Sequence, residues 1–172
     1  MRPPAWRAMA LALTLSVVGC AAPRPSSGPS PAEPPGLALG DAEVEPVERP
    51  EAGIAMAFDA TTGAELVVIV PDSIDFTSRA LICVYLGERP TDGWRLDLDS
   101  ASLVDGELRI EARENTPRAD GGELRTTFPA DCALLNRDGL PVGELTVSAH
   151  DTLSDEFIVE GTVVVPDPAG AP

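Results

Sequence analysis

The chain has 172 residues, a length that suits one domain and leaves no room for two large folds. Its 12 basic residues are all arginine and stand against 28 acidic residues, so the formal net charge is −16. This balance excludes a basic surface for nucleic acid or for anionic lipid headgroups. Aromatic residues make up only 4%, which also disfavours a platform for base stacking.

Residues 1–19 have the features of a signal peptide. Arg2 and Arg7 form a short positive region, and an apolar run follows over residues 8–18. This run is shorter than the ~20 apolar residues that a membrane-spanning helix needs. Its length is typical of the apolar core of a signal peptide. We therefore expect the mature protein to be exported.

The apolar run leads directly into Val-Val-Gly-Cys, which ends at Cys20. This sequence resembles the bacterial lipobox, and the resemblance implies cleavage before Cys20, attachment of diacylglycerol to its thiol and, in many bacteria, N-acylation. The resemblance thus implies a lipid-anchored protein of the bacterial cell envelope. Ala21, where an aspartate would retain a lipoprotein at the inner membrane, favours the outer membrane. The alternative is an ordinary signal peptide followed by a chance cysteine.

Residues 20–52 are predicted to be the lipid anchor and a disordered linker. Eight prolines occur between residues 21 and 50, with serine and glycine among them. Proline fixes φ and removes a backbone donor, so both helix and sheet are disfavoured. The composition predicts a semi-extended spacer between membrane and domain. The alternative is a proline-rich ligand for a partner. Residues 167–172 are predicted to form a short disordered tail.

Residues 53–166 are predicted to form an all-β domain. Apolar and polar residues alternate with a period of two, and no segment shows a helical stripe over three turns. Asp105-Gly106 lies between two alternating segments and indicates a hairpin. We expect about eight short strands in a small antiparallel β-sandwich or open barrel. The predicted strands are residues 66–70, 80–86, 94–98, 107–113, 124–128, 132–135, 145–149 and 157–165.

The cysteine content fits an oxidising compartment. With Cys20 assigned to lipid, Cys83 and Cys132 remain, and both lie in apolar segments. Two remaining cysteines in an exported protein are expected to pair. A disulfide that closes a loop of ~50 residues stabilises by roughly 4 kcal/mol in the chain-entropy model. The alternative is two buried free thiols.

One part of the domain resembles a known family. Ile-Asp-Phe at residues 74–76 precedes the run LICVYLGERPTDGW at residues 81–94, and a hairpin and a proline-containing loop follow. Residues 74–137 resemble the C-terminal domain of the protease complex subunit PrcB family. Asp92 stands where that family has glycine, and Trp94 where it has tyrosine. The resemblance implies a non-enzymatic β-domain, secreted or lipid-anchored, from a family named after a lipoprotein that assembles with a surface protease.

The loop at residues 88–94 is the candidate binding site. It faintly resembles the Pro-Thr-Thr-Gly-Tyr loop of chagasin-like cysteine-protease inhibitors. Proline stiffens such a loop, glycine allows a positive φ, and the adjacent aromatic ring can enter a partner's pocket. The alternative is an ordinary hairpin whose Trp94 begins a strand and packs inward. The candidate residues are Glu88, Arg89, Pro90, Thr91, Asp92, Gly93 and Trp94.

The sequence predicts no catalytic residue, metal or cofactor. His150 is the single histidine; Ser148 shares its strand face, whereas Asp151 points to the other face. One histidine and no C-x-x-C pair disfavour a zinc site. The acidic loop at residues 150–156 lacks the ligand spacing and turn glycine of an EF-hand, so we expect a solvated loop, with calcium binding as the alternative.

These features predict a lipid-anchored, non-catalytic β-domain that binds another envelope protein, such as a protease, and no nucleic acid. The contact would use the loop at residues 88–94 or an exposed strand edge. Two alternatives remain open. The first is a protease inhibitor that acts through the same loop. The second is a structural or carbohydrate-associated module of the envelope.

Overall fold

The computed structural model describes residues 36–117 and 123–167, which form nine β-strands and one short helix. The signal peptide, Cys20 and the start of the linker lie outside the described residues. No helix in the described ranges has the length and apolar character needed to cross a bilayer. The strands are β1 (Gly36–Leu37), β2 (Leu39–Asp41), β3 (Ala52–Ala57), β4 (Arg79–Leu86), β5 (Arg95–Val104), β6 (Glu107–Asn115), β7 (Ala130–Asn136), β8 (Gly143–Asp151) and β9 (Phe157–Val165), and helix α1 is Ala60–Gly63.

The strands form two sheets, which confirms the predicted all-β sandwich. One sheet has five strands in the order β1-β5-β6-β8-β9, and the other has four in the order β2-β7-β4-β3. Every neighbouring pair is antiparallel except β6 and β8, which run parallel. The chain crosses between β1 and β2 from the edge of one sheet to the edge of the other, and the two sheets do not close into a barrel.

The main core lies between the sheets and follows from the period-two patterns. Leu108, Ile110 and Ala112 alternate along β6, as predicted, and all three are fully buried. Ile82 and Val84 face them from β4 of the other sheet. Successive side chains of a strand point to opposite faces, so this core needs apolar residues only at every second position of each strand.

A second core covers the outer face of the four-stranded sheet. Residues 42–50 and 60–78, here called the covering layer, pack over Leu81 and Tyr85 on that face. The Tyr85 hydroxyl donates to the carbonyl of Leu66, 3.1 Å away, and so ties the layer to the sheet. Strand β4 is therefore buried on both faces, which explains its continuous apolar sequence.

The two remaining cysteines meet within this second core. Cys83 of β4 lies directly opposite Cys132 of β7, and a disulfide joins them across 49 residues of sequence. Both residues are buried. The structure thus contains the disulfide that the cysteine content predicts, instead of two free thiols.

The linker prediction is wrong over its last part. Residues 36–41 form β1 and β2, which pair with β5 and β7, and residues 42–50 belong to the covering layer. Residues 36–41 contain no proline, so their backbone can pair with both strand edges. Pro46 forms a β-bridge with Val67. The N–H groups of Val47 and Val68 donate the two hydrogen bonds of this bridge, so the bridge does not need the N–H that proline lacks.

Two predicted strands are absent. Residues 66–70 follow helix α1 in a turn, and only Val67 forms a β-bridge; Val68 and Ile69 point outward. In residues 124–128 only Thr127 forms a bridge, and Leu124 is 92% exposed. In both segments the pattern of apolar residues resembles that of a strand. Each segment, however, forms only one β-bridge to a neighbouring loop and does not pair with a strand of either sheet.

Asp131 links the two sheets beside the disulfide. Its Oδ2 accepts a hydrogen bond from the backbone N–H of Leu98, 2.8 Å away on the opposite sheet, and its Oδ1 accepts from the N–H of Cys132. Burial raises the pKa of this carboxyl, and the nearby charges of Asp97 and Asp41 act in the same direction, while the two hydrogen bonds oppose it. The carboxylate thus accepts from the backbone N–H of Leu98 on β5. With this hydrogen bond made, the N–H is not available to pair with another strand.

Candidate functional site

The two ends of the sandwich differ in their connections. One end, here called the loop end, carries the connections at residues 87–94, 116–129 and 152–156, of which the structure describes all but 118–122. The opposite end, here called the turn end, carries the connections at residues 105–106 and 137–142. Both ends of the long connection at residues 58–78 also lie there, because Ala57 pairs with Leu81 and Arg79 pairs with Asn136. The described chain enters the fold near the turn end, because Gly36 pairs with Ser102 close to the first of these connections.

The candidate loop is hydrogen-bonded along its length to the β6–β7 connection. Arg89 and Thr127 exchange two backbone hydrogen bonds of 2.8 and 2.9 Å, and the Thr127 hydroxyl donates to the carbonyl of Thr91. The N–H of Asp92 donates to the carbonyl of Glu123, whose own N–H donates to Asp92 Oδ1 at 2.8 Å. Five hydrogen bonds therefore hold the two segments as a ribbon, which lowers the entropy that binding would cost.

Two glycines allow the loop to turn. Gly87 has φ +73° and Gly93 has φ +89°, a region that favours glycine. A Cβ atom on Gly87 would lie 2.7 Å from the backbone nitrogen of Ala52, so that position also has no space for a side chain. A Cβ atom on Gly93 would lie 3.2 Å from Pro117 Cβ, a milder contact.

Trp94 is half-buried on the loop instead of entering the main core. Its indole Nε1 donates to Thr91 Oγ1 at 3.2 Å, and the Arg89 guanidinium carbon lies 5.1 Å from the ring centroid. Arg89 Nη2 also lies 3.4 Å from Glu114 Oε1. The indole is thus fixed between a cation and a hydrogen bond, and the structure does not show the inward packing of Trp94 that the alternative interpretation of this loop expects. Strand β5 begins one residue later, at Arg95.

The exposed residues of the loop end include Leu124, which the sequence pattern predicts to be buried. Glu88, Pro90 and Gly93 are exposed on the candidate loop. On the partner segment Leu124 is 92% exposed, although its alternation with Thr126 and Phe128 predicts a buried strand face. The pairing of Glu123 and Thr127 with the candidate loop was also not predicted, because both partners lie in irregular backbone with no periodic signal.

The β8–β9 connection joins the same end through side-chain contacts. Asp151 Oδ1 accepts from the N–H of Glu114, the residue that pairs with Arg89. Asp151 Oδ2 accepts from both the N–H and the hydroxyl of Ser154, and the hydroxyl bond is the main cause that lowers the pKa of this carboxyl. Leu153 in this turn is 81% exposed.

The predicted alternative of a calcium site in this acidic loop finds no support from the side-chain positions. Asp151 holds the turn, and Asp155 forms an ion pair with Arg109. Among residues 36–117 and 123–167, no group of three or more histidine, cysteine or acidic side chains is arranged to hold a metal ion. Asp151 instead accepts hydrogen bonds within the loop, and Asp155 joins the loop to Arg109 of β6.

Ser148 and His150 share a strand face but do not form a nucleophile and base. The Ser148 hydroxyl donates to Glu107 Oε1, so His150 Nε2, 3.2 Å away, is left to donate to the hydroxyl oxygen. Ser148 is 1% exposed, and His150 Nδ1 is buried without a partner in the described structure. A base must accept the serine proton, and here that proton points to the carboxylate.

The chain matches no known family model, no curated protein and no solved structure. The resemblance of residues 74–137 to the PrcB C-terminal domain family therefore stays a prediction.

Proposed function

We propose that this protein is a lipid-anchored bacterial lipoprotein whose non-catalytic β-domain binds another protein of the cell envelope through its loop end. An envelope protease, with this chain as its accessory subunit, is the partner class that the resemblance favours. The domain would lie at the outer membrane, held by acyl chains on Cys20. The hydrogen bond from the Ser148 hydroxyl to Glu107 supports the view that this serine and His150 are not a nucleophile and its base.

One observation carries the proposal: the ordered loops lie at the end opposite to the one where the chain enters. Gly36 enters beside the turn end, whereas Pro90, Trp94 and Leu124 lie at the loop end. A tether that joins at Gly36 leaves the loop end free to face away from the membrane. Fixed loops with an aromatic residue and an exposed leucine are suited to contact a partner.

The anchor proposal rests on the lipobox and on simple energetics. Each buried CH₂ group of an acyl chain contributes ~0.8 kcal/mol, so two or three chains anchor a protein stably. Loss of residues 1–19 leaves 10 arginines against 28 acids, a formal net charge of −18. This charge repels an anionic membrane surface and favours a domain that stands away from it.

The anchor is tested by Cys20→Ser. We expect the parent protein to fractionate with membranes and to incorporate labelled palmitate, and the variant to do neither. A variant that stays in the membrane fraction and a parent that takes up no label would both contradict lipid attachment.

The docking site is tested by Trp94→Ala and Leu124→Ser, with Val142→Ser at the turn end as the matched control. Val142 is 59% exposed, so its replacement removes apolar surface without touching the core. After chemical crosslinking in cells, we expect one specific adduct that both loop-end variants weaken at least fivefold and the control leaves unchanged. Equal yields from all three variants would exclude the loop end as the contact.

A second use of the same loop is protease inhibition, which is favoured by the rigid mounting and exposure of Pro90 and Gly93. Purified protein added to papain and to subtilisin separates the two proposals. Inhibition that Trp94→Ala abolishes without unfolding supports an inhibitor. Full protease activity at micromolar protein leaves docking as the function of the loop.

A further inference from the structure

A second exposed apolar surface lies on the covering layer, over the outer face of the four-stranded sheet. Val68 is 59% exposed and Ile69 is 74% exposed, and they are adjacent in sequence. The backbone beneath them is fixed, because the N–H of Val68 donates to the carbonyl of Glu45 at 2.8 Å and the N–H of Val47 donates to that of Leu66. The two aliphatic side chains are therefore held in water by an ordered segment.

A groove of about 300 Å³ lies on the same layer, with Pro71 and Val44 in its lining. Pro71 follows Ile69 by two positions, and Val44 precedes Glu45, whose carbonyl accepts the hydrogen bond from Val68. The rest of the lining is mixed, with the apolar residues Ala42, Ile74 and Leu134 and the polar residues Asp41, Glu43 and Ser73. The groove therefore offers apolar contact together with carboxylates.

The segment that forms this surface is mostly acidic. Residues 41–75 contain nine acidic residues and one basic residue, Arg49. The next basic residue, Arg79, lies beside Gly40, where a Cβ atom would be 3.1 Å from its Nη1. The Arg49 guanidinium is already engaged, since its carbon lies 4.8 Å from the ring centroid of Tyr85 and its Nη2 donates to the carbonyl of Glu65. A ligand that approaches this surface therefore meets carboxylates around an apolar centre.

We propose that the covering layer binds a cationic, apolar peptide segment of a partner protein, with its apolar side chains on Val68, Ile69 and the groove and its basic side chains on the acidic rim. The apolar contact supplies affinity, and the carboxylates steer the approach and set the register. An anionic lipid surface fits poorly, because its headgroups carry the same charge as the rim. The proposal does not depend on the loop end.

The test uses the full-length protein in nanodiscs, with empty nanodiscs as the blank, and two probe peptides of ten residues. One peptide alternates leucine with arginine, and the other alternates leucine with glutamate. We expect the arginine peptide to bind at least tenfold more tightly. The double variant V68S/I69S should weaken that binding about tenfold, because it removes the aliphatic contact.

The control is V142S/V164S, whose valines are 59% and 71% exposed and so match the test pair. This control should stay within twofold of the parent. Equal weakening in both double variants, or none in either, would mean general attraction to an acidic protein and would overturn the proposal.

Two further arms define the chemistry. E43Q/E45Q should weaken the arginine peptide about threefold and should not weaken the glutamate peptide, which the rim repels; an unchanged affinity for the arginine peptide would remove the acidic rim from the proposal. Phosphatidylcholine vesicles without peptide should not bind the parent any better than V68S/I69S. Vesicle binding that the double variant abolishes would assign the surface to lipid instead.

Discussion

The β5–β6 hairpin at the turn end and the loops at the loop end are held in place by different kinds of contact. At the turn end, Asp105 and Gly106 close a two-residue hairpin with φ of 52° and 86°, and local backbone geometry is sufficient. At the loop end, residues 87–94 are held by hydrogen bonds to residues more than 30 positions away. The Asp105-Gly106 hairpin therefore depends on local sequence and the loop end on tertiary contacts, whereas the second turn-end connection is also held from a distance, by hydrogen bonds from Arg137 to the carbonyls of Phe76 and Ser78. This difference places the proposed binding surface where loops can vary without changing the sheets.

The largest expected effect comes from the disulfide between the two ends. The double variant C83A/C132A removes this bond between the antiparallel strands β4 and β7, which both extend from one end of the sandwich to the other. We expect the free energy of unfolding to fall by about 4 kcal/mol, because the unfolded chain regains the freedom of a long loop. Urea denaturation of parent and variant measures this loss. A loss below about 1 kcal/mol would show that the covering layer, and not the disulfide, holds these strands.

A matched pair of glycine substitutions contrasts the two ends directly. Gly87→Ala places a Cβ against backbone atoms of β3 at positive φ, and we expect a loss of about 3 kcal/mol. Gly106→Ala meets no atom within 4 Å, so only the φ strain of about 1 kcal/mol remains. Urea midpoints at constant slope give both values. Equal losses would mean that the loop end tolerates the same local changes as the turn end.

A smaller substitution isolates the side-chain part of the loop-end ribbon. Thr127→Val keeps the shape but removes the hydroxyl that donates to the Thr91 carbonyl. We expect a loss of about 1 kcal/mol and faster amide exchange at Arg89 and Asp92. Thr146→Val, on the exposed face of β8, is the control. If the two variants behave alike, the ribbon does not depend on this hydrogen bond.

The smallest effect is a pH dependence that separates Asp131 from Asp151. The pKa of Asp131 is raised by burial, so between the unfolded value of 3.8 and its folded value the native state binds more protons, and stability falls as pH rises through that window. The pKa of Asp151 is lowered by its bond to Ser154, so its contribution is present above 3.8 and is lost as pH falls toward the folded value.

Unfolding of Asp131→Asn and Asp151→Asn at pH 7, pH 4 and about pH 2.5 measures these opposite signs. Between pH 7 and pH 4 the parent should gain stability relative to Asp131→Asn, since the variant has no carboxyl to protonate. Between pH 4 and about pH 2.5 the parent should lose its advantage over Asp151→Asn. The same sign for both variants would contradict the assigned causes.

The strands of the sheets could be predicted because burial imposes a period of two on residues such as Leu108, Ile110 and Ala112. The apolar run over residues 80–86 also predicted a strand, and the structure shows that it is buried on both faces. Strands β1 and β2 escaped prediction because a few residues between prolines carry no period, and only the free edges of β5 and β7 define them. Leu124 was wrongly predicted to lie on a buried strand face. Alternation shows only which residues are apolar, and it does not show whether a strand is available for pairing.

For the candidate site too, the local features could be predicted from the sequence and the long-range contacts could not. The positions of Pro90, Gly93 and Trp94 in one loop could be predicted from the motif. The partner segment that contains Glu123 and Thr127 could not, since its hydrogen bonds join irregular backbone across more than 30 residues. Such pairings leave no local pattern in the sequence.

The central claim is that the loop end contacts the partner while the turn end lies on the side of the tether. A photo-crosslinking residue placed singly at Pro90, Glu123, Asp105 and Asp138 in the full-length protein in cells tests it directly. The account predicts one shared adduct from Pro90 and Glu123 and none from the two turn-end positions. The same adduct from Asp105 or Asp138, with none from the loop end, would contradict it.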